Sequence, residues 1–315
     1  MKTLTRAEAA AFLAGQDGFV ILTHRRPDGD TLGSAALLCR GLRKLGKTAH
    51  ILRNPEITEK YAHLHEGLTT DAVPDGAVLV AVDIASKGML PEAFAHLGDK
   101  IPLRIDHHAT ADSFTDRELV EPEAAACGEL VARVLFLMGV QLDKPMANAL
   151  YTAISTDTGC FRYANTTAET FEIAAHCAHS GADLFAINQA LFETNSLARL
   201  QIQGYLIENA LFLNNGSFVI CPLPKAVEKA FGATEDDLEN ISGFPRSIEG
   251  VKIAATLREE GADRIKISVR AVPGYDAATI CAQFGGGGHK GAAGASMTCS
   301  MDEAVNALKA TLSSI

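Results

Sequence analysis

Residues 21–34 read "ILTHRRPDGDTLGS". An apolar, strand-like run ends at His24, and Asp28 and Asp30 follow within six residues, separated by Gly29. Small uncharged residues come next, where a helix is expected to begin. A histidine and two carboxylates crowded at the end of a buried strand repel and desolvate one another unless something positive lies among them.

The same pattern of apolar run and polar cluster recurs through the first half of the chain. Strand-like runs occupy 18–24 ("GFVILTH"), 47–53 ("KTAHILR"), 77–85 ("AVLVAVDIA") and 101–107 ("IPLRIDH"). Helix-like stretches, with apolar residues three to four apart, lie at roughly 31–46, 123–139 and 145–156. Continuous apolar strands joined by helices predict an α/β fold with a doubly wound parallel sheet, covered on both faces. Ligands of such sheets bind at the carboxyl ends of the strands. The clusters fall there: His24 to Asp30 after the first run, Asp83 in the third, and Asp106-His107-His108 after the fourth.

From about 167 to 210 the pattern is helical, with Gly181 as a C-cap and "SLARLQIQGYLIENALF" (196–212) as a long helix suited to bridging domains. The turn signal "NNGS" (214–217) opens a second unit, with strands near 217–222, 251–258 and 263–270 and helices near 224–230, 275–283 and 301–313. The expected organisation is a first domain over 1–190, a helical linker over 191–212 and a smaller α/β domain over 213–315.

Composition narrows the class. Hydrophobic residues make up 47% and charged residues 21% of 315 residues, as in soluble globular proteins. No window approaches 18 uninterrupted apolar residues, and "MKTLTRAEAAAFLAGQDGFVIL" lacks the features of a signal peptide, so a cytoplasmic protein without a membrane span is expected. The seven cysteines (39, 127, 160, 177, 221, 281, 299) are odd in number and never form C-x-x-C, which fits small buried hydrophobes in a reduced compartment. A net charge of −10 argues against a broad basic face for long duplex nucleic acid, and leaves room for a small phosphorylated substrate in a locally positive cleft.

Each polar cluster alone passes as a helix cap or loop entry. Jointly, four clusters at one sheet edge, including "STDTGCFRY" (155–163), supply His24, Asp28, Asp30, Asp83, His107 and Asp157. Hard carboxylates mixed with imidazole suit Mn²⁺, Mg²⁺ or Co²⁺ better than a thiolate zinc site. Six ligands exceed what one ion with open positions needs, and fit two ions ~3.5–4 Å apart bridged by a carboxylate, an arrangement used for phosphoryl hydrolysis.

"HRRPDGDTLGS", "AVDIAS", "DHHAT", "STDTGCFRY" and "GGGGHKGAAG" together resemble the motifs of the DHH phosphoesterase superfamily, in its two-domain DHH/DHHA1 type. Within it the chain is most similar to nano-RNA exonucleases that also dephosphorylate 3′-phosphoadenosine 5′-phosphate (pAp). The resemblance implies a DHH domain followed by a smaller mixed-sheet DHHA1 domain, with the active site in the cleft between them. It implies two divalent ions, Mn²⁺ foremost, with His24 and Asp28 on the first, Asp30, Asp157 and His107 on the second, and Asp83 bridging both. Hydroxide formed between the ions would attack phosphorus in line. His108 would contact a phosphate oxygen and protonate the leaving group, with Asp106 orienting the neighbouring histidines. Gly29 and Gly33 would let the backbone turn tightly enough to aim both carboxylates. The wording departs from the commonest family form at "TLGS" (31–34) and "GAAGAS" (291–296), neither of which touches a ligand.

By the same likeness Arg270 and the glycine loop of "QFGGGGHKGAAGAS" (Gly286, Gly287, Gly288, His289 and Lys290) bind the substrate's far phosphate. Converging glycine N–H groups and a charge-capable histidine suit that role. Arg162, with Arg25, Arg26 and Arg104, lies beside the metal motifs and is a candidate for lining the cleft. Phe161 and Tyr163 are candidates for base stacking, with the core the better place for Phe161. His50, His63, His65, His176 and His179 are read as ordinary surface or core histidines.

The implied activity is metal-dependent hydrolysis of short oligoribonucleotides such as pApA to mononucleotides, and of pAp to AMP. Hydrolysis of linear dinucleotides in cyclic-di-AMP turnover stays open beside it. Inorganic pyrophosphatase and a non-catalytic nucleotide-binding module are weaker alternatives. Short RNA or small nucleotides are the expected partners, and a homodimer is compatible with the sequence.

Overall fold

In the computed structural model, which describes residues 2–109, 112–261 and 263–313, the chain divides into two compact units, Met1–Thr194 and Asn195–Ile315. The first unit carries seven strands: β1 (Lys2–Thr3), β2 (Phe19–Leu22), β3 (Ala49–Leu52), β4 (Thr69–Thr70), β5 (Val78–Val82), β6 (Leu103–Asp106) and β7 (Arg117–Val120). They form one sheet in the order β1-β7-β6-β5-β2-β3-β4, and every pairing is parallel. The uninterrupted apolar runs are explained by burial on both faces. Phe19, Ile21, Val80, Val82, Leu103 and Ile105 enter one core, while Val20, Leu22, Leu79 and Ala81 enter the other. The expected α/β class holds. The sequence reading passed over β1 and β4, which have two residues each, and β7, whose "RELV" has no apolar run.

Helices Gly29–Lys44, Cys127–Leu137 and Lys144–Asp157 supply the larger core. Asp28 caps the first, accepting from the N–H groups of Asp30 and Thr31. Asp143 caps the third, with Pro145 in its opening turn, where proline's missing N–H is harmless. Gly29 and Gly33 do not form the tight turn expected of them, because both lie inside helix Gly29–Lys44 without left-handed φ. Their role is close packing. A Cβ at Gly29 would sit 2.4 Å from Thr156 Cγ2, and one at Gly33 would sit 2.4 Å from the Ala149 carbonyl oxygen. Two missing side chains thus let helix Gly29–Lys44 lie directly on helix Lys144–Asp157.

The second unit holds β8 (Leu211–Leu213), β9 (Phe218–Leu223), β10 (Ile253–Gly261), β11 (Arg264–Ala271), β12 (Gly287–Gly288) and β13 (Ala292–Thr298), in the order β12-β13-β11-β10-β9-β8. Its β9–β10 pair is parallel and the remaining pairs are antiparallel, a mixed sheet. Asn214 and Asn215, both left-handed, turn β8 into β9 as the "NNGS" signal requires. Helix Leu197–Glu208, from the stretch expected to link the domains, belongs to this unit and buries Ile202 and Leu206 against Val219, Cys221 and Leu223. Among the described residues no helix is long and apolar enough to cross a membrane.

Gly33→Ala is expected to destabilise the protein by about 1–3 kcal/mol through overpacking. Gly204→Ala, in helix Leu197–Glu208 with open space around the added Cβ, is expected to stabilise by about 0.5–1 kcal/mol. Urea denaturation of the two variants checks the opposite signs.

Candidate metal centre

The first sheet grows in both directions from the β5–β2 pair, through β3 and β4 on one side and through β6 and β7 on the other. Such a reversal opens a crevice beyond the strand ends. His24 follows β2, Asp83 follows β5 directly, and Asp106 closes β6 with His107 and His108 after it. Asp28 and Asp30 start helix Gly29–Lys44, and Asp157 ends the helix packed against it.

The six residues fall into two sets whose ligand atoms lie within 4.8 Å of one another, His24, Asp28 and Asp83, and Asp30, His107 and Asp157, while Asp83, His107 and His108 make a third that overlaps both. Asp83 joins them. Its Oδ2 lies 3.5 Å from His24 Nε2, while its Oδ1 lies 3.5 Å from His107 Nε2. His24 Nε2 is also 3.6 Å from Asp28 Oδ1, and His107 Nε2 is 3.2 Å from Asp157 Oδ2 and 3.7 Å from Asp30 Oδ2. Asp83 Oδ1 is buried yet has no hydrogen-bond partner among the described residues. Such an atom is costly unless a cation or donor meets it. The donor set and this orphaned oxygen fit a divalent ion in each group.

The surroundings aim these side chains. His24 Nδ1 faces the Arg25 carbonyl oxygen at 2.8 Å and His107 Nδ1 faces that of Ala124 at 3.1 Å, which turns both Nε2 atoms toward the carboxylates. Asp30, fully buried, accepts from the N–H groups of Cys127 (2.6 Å) and Gly128 (2.9 Å) and from Ser34 Oγ (3.0 Å). It therefore caps helix Cys127–Leu137, whose own N-cap, Ala126, has no capping side chain. Asn165 Nδ2 donates to the carbonyls of Ala125 and Asp157, tying the loop behind His107 to the end of the helix that bears Asp157. Asn54 Nδ2 donates to the His24 carbonyl. Sequence reasoning missed Asn54, Asn165 and the Cys127–Gly128 amides. The one available signal was "AAACG", a helix start with no capping residue of its own.

The crowded carboxylates and imidazoles shift one another's proton affinities. Burial and the neighbouring acids Asp83 and Asp157 push the Asp30 carboxyl well above its usual range. Burial raises Asp83 to about 6. Burial disfavours a charged His107, but Asp157, Asp30 and Asp83 outweigh it and raise the ring to about 11. His24 is raised well above its ordinary value in the same way, against burial, by Asp28 and Asp83.

The remaining site residues divide. Asp106 Oδ1 accepts from His108 Nδ1 at 2.8 Å and from the N–H groups of His107 and His108, so it orients the ring of His108 but only the backbone of His107. Arg162 is exposed in a turn where Gly159, Cys160 and Phe161 are all left-handed, and its Nε donates to the Gly159 carbonyl. Phe161 packs on the core beside Tyr151 and Phe171, as expected. Tyr163 is half exposed. Arg104 lines no cleft: it is fully buried, 3.1 Å from Glu118 and 3.6 Å from Asp106, donating to the Ala85 and Asp112 carbonyls. His65 is buried on the Leu32 carbonyl oxygen.

In the second unit the glycine stretch forms the β12–β13 hairpin, with His289 and Lys290 exposed at its turn. Gly287 and Gly288 line a groove of ≈ 430 Å³ with Arg270, Ser242, Thr256 and Ser268. Gly286 admits no side chain, because a Cβ there would meet the Gly294 carbonyl oxygen at 2.2 Å. Gly286, His289 and Lys290 are not part of the groove lining.

A family model for the N-terminal domain of the DHH family matches residues 18–154, and the DHHA1 domain matches residues 216–314. Over 301 residues the chain is 34% identical to the bifunctional oligoribonuclease and PAP phosphatase NrnA of Thermus thermophilus, covering 93% of this chain and 88% of that protein. The chain belongs to the DHH family. The Bacillus subtilis protein of the same description is 28% identical over 297 residues, 91% of each chain. A DHH fold of this form is also found in the crystal structure of an exopolyphosphatase-related protein from Bacteroides fragilis, with a TM-score of 0.84, 26% identity and coverage of 98% of this chain and 96% of that one.

Imidazole must be neutral to bind a metal. Mn²⁺ binding to the metal-free DHH protein at pH 7 is therefore expected to release protons from His24 and His107, and apparent affinity is expected to fall as pH falls. Calorimetric titrations in buffers of different ionisation enthalpy check this; a binding enthalpy independent of buffer contradicts it.

Proposed function

We propose that the protein is a metal-dependent phosphoesterase that hydrolyses short oligoribonucleotides to mononucleotides and removes the 3′-phosphate of pAp. The observation that carries this reading is the arrangement around Asp83, whose two oxygens face two separate sets of hard ligands. The likeness to curated oligoribonucleases and pAp phosphatases along nearly the whole chain supports the substrate class.

His24, Asp28 and Asp83 would hold one ion, and Asp30, His107 and Asp157 the other, with Asp83 shared. Two divalent ions, Mn²⁺ before Mg²⁺ or Co²⁺ for this mix of carboxylate and imidazole, supply Lewis-acid polarisation of phosphoryl oxygens and lower the pKa of bound water. The protein's own groups do the rest. Asp106 holds His108 Nδ1, which leaves Nε2 to meet a phosphate or leaving-group oxygen. Burial works against a charged His108, but Asp106 and Asp83 keep its pKa above the ordinary value. A protonated His108 can thus give a proton to the departing oxygen. In the second unit, Arg270 and the Gly287–Gly288 backbone would hold a phosphate, aided by the groove hydroxyls, of which Thr256 Oγ1 is buried and has no hydrogen-bond partner among the described residues. Arg162 in the first unit and Lys290 in the second would each offer a cation to a phosphorylated substrate, with His289 as a further polar group on the second unit's hairpin.

The decisive assay compares pApA, pAp and pyrophosphate with Mn²⁺. AMP release from pApA and pAp is expected, with little phosphate from pyrophosphate, and Asp83→Ala should abolish turnover. No release with Mn²⁺, Mg²⁺ or Co²⁺ sinks the proposal.

His108→Ala is expected to lower kcat by about 10²–10⁴-fold. With a raised pKa the acid form of His108 persists above its usual range, so kcat/KM should fall on the alkaline side. Asp106→Asn should move that limb to lower pH, and an unmoved limb contradicts the assigned pairing.

A further inference from the structure

Thr31 lies in the first turn of helix Gly29–Lys44 and is fully buried. Its Oγ1 donates to the Val82 carbonyl at 3.0 Å and accepts from the His24 N–H at 3.4 Å. Its own N–H donates to Asp28 Oδ1 at 3.2 Å. One residue thus reaches the backbone of His24, the side chain of Asp28 and the peptide that leads into Asp83.

That last peptide has a special need. Asp83 is left-handed, with φ 59°, a conformation a non-glycine residue keeps only when its surroundings fix it. The Val82–Asp83 peptide is gripped on both edges: its C=O by the Thr31 hydroxyl and its N–H by the Ile105 carbonyl at 2.9 Å. Rotation of this plane would swing the Asp83 carboxylate away from His24. Asp83 also faces the other set, but the remaining members of that set are held without Thr31, whereas His24 and Asp28 are not. Asp30 is held by Cys127, Gly128 and Ser34, His107 by Ala124, and the Asp157 backbone by Asn165.

We propose that Thr31 is a positioning residue for one of the two metal positions, that of His24, Asp28 and Asp83, and sets its affinity apart from the other. The inference rests on the two-ion reading above. Outer-shell hydrogen-bond partners of metal ligands are worth about 10–100-fold in affinity. Valine matches threonine in shape but lacks the hydroxyl, whereas serine retains it.

The test is Mn²⁺ titration of the full chain, followed by calorimetry and by the electron paramagnetic resonance of free Mn²⁺. Thr31→Val should weaken one of two Mn²⁺ equivalents by about 10–100-fold and leave the other far less changed, while Thr31→Ser restores the wild-type titration. In an Asp157→Ala background, which disables the other position, Thr31→Val should remove the tight Mn²⁺ that remains. Thr31→Ala carries the same expectation if the valine variant does not fold. A wild-type protein that takes up fewer than two ions overturns the two-ion reading and this inference with it. Two ions in the wild type with unchanged or equally weakened binding in Thr31→Val overturns the inference alone.

Discussion

The Asp83 carboxylate, buried at the end of β5, faces a histidine on each side: His24 from β2 and His107 from beyond β6. Asp28, Asp30 and Asp157 stand close by, and this surplus of negative charge around a buried carboxylate is unfavourable unless cations meet it. Burial works against charge on His24 and His107, but the surrounding carboxylates raise the pKa of both rings. Divalent ions would offset the surplus more completely, and in the proposed function the same charges would hold those ions for phosphoryl chemistry.

The fold is arranged to tolerate that surplus. Asp28 and Asp30 each accept two backbone N–H groups at a helix N-terminus, where the helix dipole favours negative charge. The Gly29 and Gly33 contacts bring the helix bearing Asp157 against the helix bearing Asp28 and Asp30. Gly128 lets Asp30 approach the next helix start, since a Cβ there would lie 2.6 Å from Ala153 Cβ and 3.4 Å from Asp30 Oδ1. Capping, helix packing and ligand placement are therefore the same contacts seen at three scales.

Much of this is legible in the sequence. Fully buried parallel strands must be apolar at every position, so "FVIL" and "VLVAV" announce themselves and place His24 and Asp83 at their ends. The candidate ligand types are legible because histidines and carboxylates recur at the strand ends. What stays hidden depends on side chains meeting across distant segments. Nothing local marks Arg104 as buried, since its partners Glu118 and Asp106 complete its pairing only in the folded sheet. "PDGD" reads equally well as a tight turn and as a helix start, and only Thr156 and Ala149 across the interface reveal why its glycines are required. Asp30's capping of Cys127, 97 positions away, has no local trace beyond a helix that starts without a cap.

The central claim is that one carboxylate serves two ions. A crystal structure of the Mn²⁺-loaded protein, with the metal located by anomalous scattering, tests it most directly. The account predicts two ions ~3.5–4 Å apart, one beside Asp83 Oδ2 with His24 and Asp28, the other beside Asp83 Oδ1 with Asp30, His107 and Asp157. A single ion, or two ions that do not share Asp83, would contradict it.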